Sequence, residues 1–216
     1  MAPDEDLTAD PYAARRHAMV ERDIRRRGVN DGEVLEAMRR VPRHLFVPPE
    51  MRATAYSDRA LPIGGRQTIS QPYIVARMVE LARVGPEDRV LDVGTGSGYA
   101  AAVLAEIASE VVTVEVRPDL AAQAKDRLIE LGYDNVVCHR GDAAALDLGR
   151  FDAILVAAAT RHTPPGLEKQ LADGGRLVIP LGSRPSQRLW VIERRGDEFV
   201  REPHEAVAFV PLISES

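Results

Sequence analysis

One cysteine, Cys138, stands among 216 residues. A single thiol excludes an intrachain disulfide and any C-x-x-C zinc or redox site. Nothing in the chain therefore demands an oxidising compartment. Long hydrophobic runs are missing too. No stretch is long enough to span a bilayer, and Met1–Tyr12 is acidic and polar, without the apolar segment of a secretory leader. A cytoplasmic chain with no membrane partner is expected. Excess positive charge is also lacking. The net charge of −5 argues against a general phosphate-binding surface, and so against a nucleic-acid partner. Arg25-Arg26-Arg27 and Arg39-Arg40 read as solvated helix faces. There is no internal repeat, no low-complexity tract and no Ser-His-Asp or paired-acid constellation. The five histidines (His17, His44, His139, His162, His204) are scattered. Each reads as a surface residue, and no metal site is expected.

What is present is the material for a core. Hydrophobic residues make up 45% of the chain, too many for a disordered one. The length suits one compact α/β domain, read here as a monomer. Within it, residues 1–12 are expected to be a flexible tail and 13–88 a helical, substrate-site extension. Residues 89–216 are expected to form the cofactor-binding core. A helix is predicted over Ala13–Arg27, with Ala14, Ala18 and Ile24 in its apolar stripe and Gly28 as C-cap. Asn30 or Asp31 caps a second helix carrying Val34, Leu35 and Met38, which stops before Pro42. Arg43–Asp58 reads as irregular. In Leu61–Tyr73, Gly64 and Gly65 permit a tight turn, and Thr68 and Ser70 lie on a short extended run. Pro72 then opens a helix with Gln71 as its N-cap. Ser70 would stand at the mouth of that helix, where backbone N–H groups favour an anion.

From Arg89 onward, strands alternate with helices. Strands are predicted at Arg89–Val93, Glu110–Glu115, Val136–Arg140, Phe151–Val156 and Arg176–Leu181, the last entered through a turn at Asp173-Gly174-Gly175. Helices follow the first strand and cover Pro118–Leu131 and Pro165–Leu171. Two late strands, Leu189–Arg194 and about Val207–Leu212, come without helices. A short strand near Phe199–Arg201 would form a hairpin with the first of them through Arg195-Gly196-Asp197. This is the pattern of a doubly wound, Rossmann-like α/β sheet. It is mostly parallel, with antiparallel C-terminal strands and an N-terminal helical extension.

The chain is organised around Val90-Leu-Asp-Val-Gly-Thr-Gly-Ser-Gly-Tyr99, a buried strand ending in a glycine turn that opens a helix. Ligands of open α/β sheets sit at the carboxyl ends of strands, in such turns. The spacing Gly94-x-Gly96-x-Gly98 departs from the dinucleotide fingerprint G-x-G-x-x-G, whose third glycine position is Tyr99 here. No lysine is near enough for a Walker A loop. A nucleoside cofactor without phosphate, S-adenosylmethionine, fits better. Glu115, ending the second strand, can accept from both ribose hydroxyls. Asp142, after the third, can accept from the adenine amino group.

Several further segments resemble the protein-L-isoaspartate O-methyltransferases. They are Val41-Pro-Arg-His-Leu-Phe-Val-Pro48, Ala55-Tyr-Ser-Asp58, Leu61-Pro-Ile-Gly64, Gln67-Thr-Ile-Ser-Gln-Pro72, Gly141-Asp142, Phe151-Asp-Ala-Ile154, Gln170-Leu171, Gly174–Pro180 and Phe209-Val-Pro-Leu212. The resemblance covers about Ala18 to Ile213, and Gln67–Pro72 is its most specific part. It implies methyl transfer from S-adenosylmethionine, leaving S-adenosylhomocysteine, to the free α-carboxylate of isoaspartyl residues in damaged proteins. The methyl ester then collapses to a succinimide, which begins repair. It also implies that Ser70 is the catalytic residue, and that Thr68, Ser70 and Val210 meet the substrate. By the same resemblance Gln67, Thr68, Ile69, Ser70, Asp92, Gly94, Thr95, Gly96, Ser97, Gly98, Glu115, Val116, Gly141, Asp142 and Ala143 contact the cofactor. The chain departs from the family pattern at Arg66 and Ala143, where glycine is usual, and at Arg161-His162. The chemistry agrees with the residues: a carboxylate acceptor, of pKa about 4, is already ionised at neutral pH and needs no general base. Three alternatives remain open from sequence: a relative that methylates another carboxylate, a non-catalytic module that binds the cofactor, and a nicotinamide oxidoreductase.

Overall fold

The computed structural model describes residues 10–213. Residues 1–9 of the expected tail lie outside that range. Asp10–Tyr12, expected in the same tail, are packed. Asp10 accepts from the Tyr12 amide (2.9 Å) and from Arg16 (2.5 Å), and Tyr12 stacks on His44 with ring centroids 4.1 Å apart. His44 is thus buried, not the surface residue expected, because the aromatic stack covers it and Tyr56 Oη meets its Nδ1 at 2.7 Å.

Helix α1 (Ala13–Met19) runs into a π-helical stretch, Val20–Ile24, and a 3₁₀ turn, Arg25–Arg27. The extra residue per turn rotates the inward face. Arg16, Met19, Val20 and Ile24 are buried, whereas Ala14 and Ala18, expected in the stripe, are exposed. Arg16 tolerates burial because the Arg39 carbonyl, Asp10 and Tyr56 satisfy its guanidinium. Asp31 caps α2 (Gly32–Arg40) by accepting from the amides of Glu33 and Val34.

Leu61–Gly64 (β1) and Gln67–Ile69 (β2) pair as an antiparallel hairpin. Its tip, Gly65-Arg66, has φ of +56° and +59°, the left-handed pair of a tight hairpin turn. Helix α3 (Pro72–Ala82) follows at once. Gln71 occupies its N-cap position but makes no side-chain cap. The capping carboxylate comes from Asp58, which accepts the Tyr73 N–H at 3.0 Å.

The main sheet holds β3 (Arg89–Val93), β4 (Glu110–Glu115), β5 (Val136–Arg140), β6 (Phe151–Val156), β7 (Leu171–Leu181), β8 (Arg188–Arg195) and β9 (Glu198–Ala206). Their order is β5-β4-β3-β6-β7-β8-β9, parallel through β7 and antiparallel after it. Alternate residues feed two cores, one per face. Val90, Val111, Leu155 and Val178 join the N-terminal helices, α3 and α4 (Tyr99–Ala105), together with Leu128 of α5 (Pro118–Glu130). Leu91, Val112, Ile154 and Leu177 face the short helix α6 (Pro165–Lys169) through Leu167.

Two strand expectations fail. Asp173-Gly174-Gly175 is a bulge inside β7, not a turn before it, because Leu171 already pairs with Phe151 before the register shifts. Val207–Leu212 is not a strand. The hairpin partner of β8 is the longer Glu198–Ala206, entered through the two-residue loop Gly196-Asp197. Beyond Ala206 the chain leaves the sheet as a strap that touches Ala159 through a single bridge at Pro211.

Candidate active site

The strap, the hairpin strand β2 and the carboxyl ends of β3, β4 and β5 wall a cavity of about 570 Å³. Fourteen predicted site residues line it: Gln67, Thr68, Ile69, Ser70, Gly94, Thr95, Gly96, Ser97, Glu115, Val116, Gly141, Asp142, Ala143 and Val210. Local sequence explains how they meet. The three parallel strands β3, β4 and β5 end side by side, so the residues after them share one edge. The hairpin brings Gln67–Ser70 over that edge from outside the sheet.

Two predicted residues are not in the lining. Gly98 is the N-cap of α4 at φ +88°, and a Cβ there would lie 3.3 Å from Leu128 Cδ1. It serves the packing of α4 on α5. Asp92 is 1% exposed and accepts the Thr113 hydroxyl at 2.8 Å, while Thr113 Oγ1 lies 2.6 Å from Thr95 Oγ1. Asp92 therefore supports the glycine turn from beneath. Burial pushes its carboxyl up to about 6, against the Thr113 hydrogen bond and with the Glu115 charge adding to the rise.

The turn itself is pinned from β4. Glu115 is buried, and its carboxylate accepts the Gly96 N–H at 2.9 Å and the Arg117 N–H at 3.1 Å. Gly94 and Gly96 have φ of +92° and +54°, which lets the backbone pass close to the cavity without strain. Ala143, where the family pattern has glycine, is 2% exposed and packs into the second core. Its carbonyl accepts from Gln170 at 2.8 Å.

The sequence reading overlooked other residues that shape the cavity. Arg117 lines it, and its guanidinium passes so close to the hairpin tip that a Cβ on Gly65 would lie 2.7 Å from Nη2. Tyr99, 1% exposed, closes the floor against the buried Arg43, whose guanidinium carbon stands 4.8 Å from its ring centroid. Every residue of the strap from Val207 to Ile213 lines the cavity, although only Val210 is expected there from sequence. Neither Arg117 nor Tyr99 carries a spacing signal, since both act through tertiary neighbours.

A nucleoside of this size fits the arrangement. The lining offers bent glycine backbone, a buried carboxylate with unused acceptor capacity at Glu115, and a second carboxylate at Asp142, all on adjacent strand ends. Arg117 and Arg184 are its only cations among the described residues.

Relatives agree with this picture. The model of the family described as protein-L-isoaspartate(D-aspartate) O-methyltransferase (PCMT) matches residues 14–216. A protein of Picosynechococcus sp. named protein-L-isoaspartate O-methyltransferase is 51% identical over 100% of this chain and 98% of its own length. One of the same name from Roseiflexus castenholzii is 52% identical over 94% and 93%. A Plasmodium falciparum structure, named as a protein-L-isoaspartate O-methyltransferase and solved in complex with S-adenosyl-L-homocysteine, superposes with a TM-score of 0.81 at 25% identity. It covers 93% of this chain and 99% of that one. With its family model matched over residues 14–216 and both relatives matched over more than nine tenths of their length, the chain belongs to the protein-L-isoaspartate(D-aspartate) O-methyltransferase family.

Proposed function

We propose that this protein esterifies the free α-carboxylate of L-isoaspartyl residues in damaged proteins with a methyl group from S-adenosylmethionine. The observation that carries the reading is one cavity shared by two unrelated stretches, the glycine turn after β3 and the hairpin strand Gln67–Ile69 with Ser70. The donor, when bound, supplies a methyl group already activated as a sulfonium. The protein's task is therefore alignment of acceptor and donor, for which well-oriented systems gain roughly 7–11 kcal/mol.

Each wall has a distinct role in this reading. Glu115 and Asp142 hold the ribose and adenine, and the Gly94–Ser97 turn holds the methionine part. Thr68 and Ser70 present hydroxyls to the acceptor carboxylate and orient it without neutralising it. The strap closes the opposite side and excludes water. No general base is required, because the acceptor is ionised at neutral pH.

Transfer of labelled methyl to an isoaspartyl peptide, and not to its aspartyl isomer, is the expected result. Equal labelling of both would replace repair with a broader carboxyl methylation. In the same assay Ser70→Ala is expected to lower turnover at least tenfold while S-adenosylhomocysteine affinity stays within about twofold of wild type. Full turnover in that variant would remove the hydroxyl from the reading.

A further inference from the structure

The strap from Val207 to Ile213 forms one whole side of the cavity, yet no sheet ladder holds it. One anchor of its backbone is Ala159, which donates to the Val210 carbonyl (2.8 Å) and accepts the Leu212 N–H (2.7 Å). The other is Gln187, through its side chain and its own carbonyl. Gln187 is 4% exposed. Its Oε1 accepts the Phe209 N–H at 2.7 Å and its Nε2 donates to the Phe209 carbonyl at 3.3 Å. Its own backbone carbonyl accepts the Val207 N–H at 3.0 Å. The amide thus offers Phe209 the donor–acceptor pair that a neighbouring strand would offer. Arg184 adds a longer contact to the same carbonyl, 3.4 Å.

Sheet order separates the two ends of the cavity. Glu115 and Asp142 follow β4 and β5 on one side of the glycine turn. Ala157, Ala158, Arg184 and the strap lie over β6, β7 and β8 on the other. The only charge on that second side, among the described lining residues, is the cation of Arg184. This half suits an anionic acceptor, and the Gln187 side chain hydrogen-bonds to Phe209 within it.

We propose that Gln187 is a positioning residue for the acceptor: its amide clamps the Phe209 peptide, fixes the strap against the site and so sets acceptor binding separately from cofactor binding. The proposal rests on the isoaspartyl reading above for its substrate, but not for the clamp itself.

Two measurements on the full-length protein test it. In Gln187→Met the KM for an isoaspartyl peptide is expected to rise at least fivefold, with the S-adenosylhomocysteine Kd within about twofold of wild type. An unchanged KM, or a KM and Kd that rise together, would overturn the proposal, the second pattern marking a residue that only supports the fold. Amide hydrogen exchange in the wild type needs no variant to fold. The Phe209 amide is expected to exchange as slowly as those of β8, and exchange at an unprotected rate would overturn the clamp. If the wild type methylated no isoaspartyl peptide, the activity reading would fail, while the exchange rate of Phe209 would still decide the clamp.

Discussion

Glu115 Oε2 and the Gly96 amide are joined by a 2.9 Å hydrogen bond that crosses from the end of β4 to the turn after β3. The other carboxylate oxygen accepts the Arg117 amide. Each oxygen therefore spends one lone pair on the protein and keeps another for a ligand hydroxyl. In Glu115→Gln the amide NH₂ would face one of two backbone donors. Hydrogen bonds to a charged group contribute about 1.5–3 kcal/mol, so S-adenosylhomocysteine affinity is expected to fall by about 10- to 100-fold. Isothermal titration measures this directly, and an unchanged Kd would contradict the role given to Glu115.

Asp58 reaches α3 from outside the helix. Its carboxylate accepts from the Tyr73 amide (3.0 Å) and Gln71 Nε2 (2.6 Å), and also pairs with Arg27, whose guanidinium carbon stands 3.6 Å from the Tyr73 ring centroid. Loss of a cap costs about 0.5–2 kcal/mol. Asp58→Ala is expected to lower Tm by about 1–8 °C, at about 2–4 °C per kcal/mol for a chain of this size. It should also lower turnover, because Ser70 and Gln71 lead into that helix. Asp58→Asn keeps an acceptor for Tyr73 and is expected to lose less of both in calorimetry and in the methylation assay.

Asp92 sets a pH dependence of stability. Burial raises its carboxyl from 3.8 to about 6 in the folded chain. Between those two values the folded state holds a proton that the unfolded state has released, so stability falls as pH rises through this window and levels off above it. Asp92→Asn keeps an acceptor for Thr113 and removes the titration. Its stability relative to wild type is expected to grow from about pH 4 to pH 6 and then stay constant. The ceiling is about 3 kcal/mol, at 1.36 kcal/mol per unit. Urea midpoints from about pH 4 to about pH 8 report this, and parallel wild-type and variant profiles would refute it.

Gly166 lies in the first turn of α6, directly beneath the segment that follows β5. A Cβ there would stand 1.8 Å from the Ala144 carbonyl oxygen, a backbone atom with no rotamer to give way. Overpacking of this kind costs about 1–3 kcal/mol and occasionally more. Gly166→Ala is expected to reach the top of that range and to weaken cofactor binding as well, since Ala144 adjoins Asp142 and Ala143. Thermal unfolding with and without S-adenosylhomocysteine separates the two effects.

The sequence was most legible where local and tertiary signals coincide. Strands β3 to β5 end where apolar runs meet glycines or charged residues, and the predicted limits of β3 to β6 match the structure. Gly94–Ser97, Glu115 and Asp142 meet because parallel strands must end together. Reading failed where a distant partner overrides the local pattern. Val207–Leu212 has the composition of a strand, but Gln187 and Ala159 supply its hydrogen bonds and β9 takes its place beside β8. Gln71 occupies an N-cap position, but the capping carboxylate belongs to Asp58, thirteen residues away. The alanines of α1 mark no inward face, because a π-helical stretch changes the period that places side chains.

Ile213 still lines the cavity at the far end of the strap, whereas Asp10 and Tyr12 are tied to Arg16 and His44 in the helical layer. A bulky label attached at Ile213 would therefore stand in the cavity wall and compete with incoming polypeptide for it. A label for assay is better placed on the exposed side of α1, at His17 or Ala18, neither of which lines the cavity.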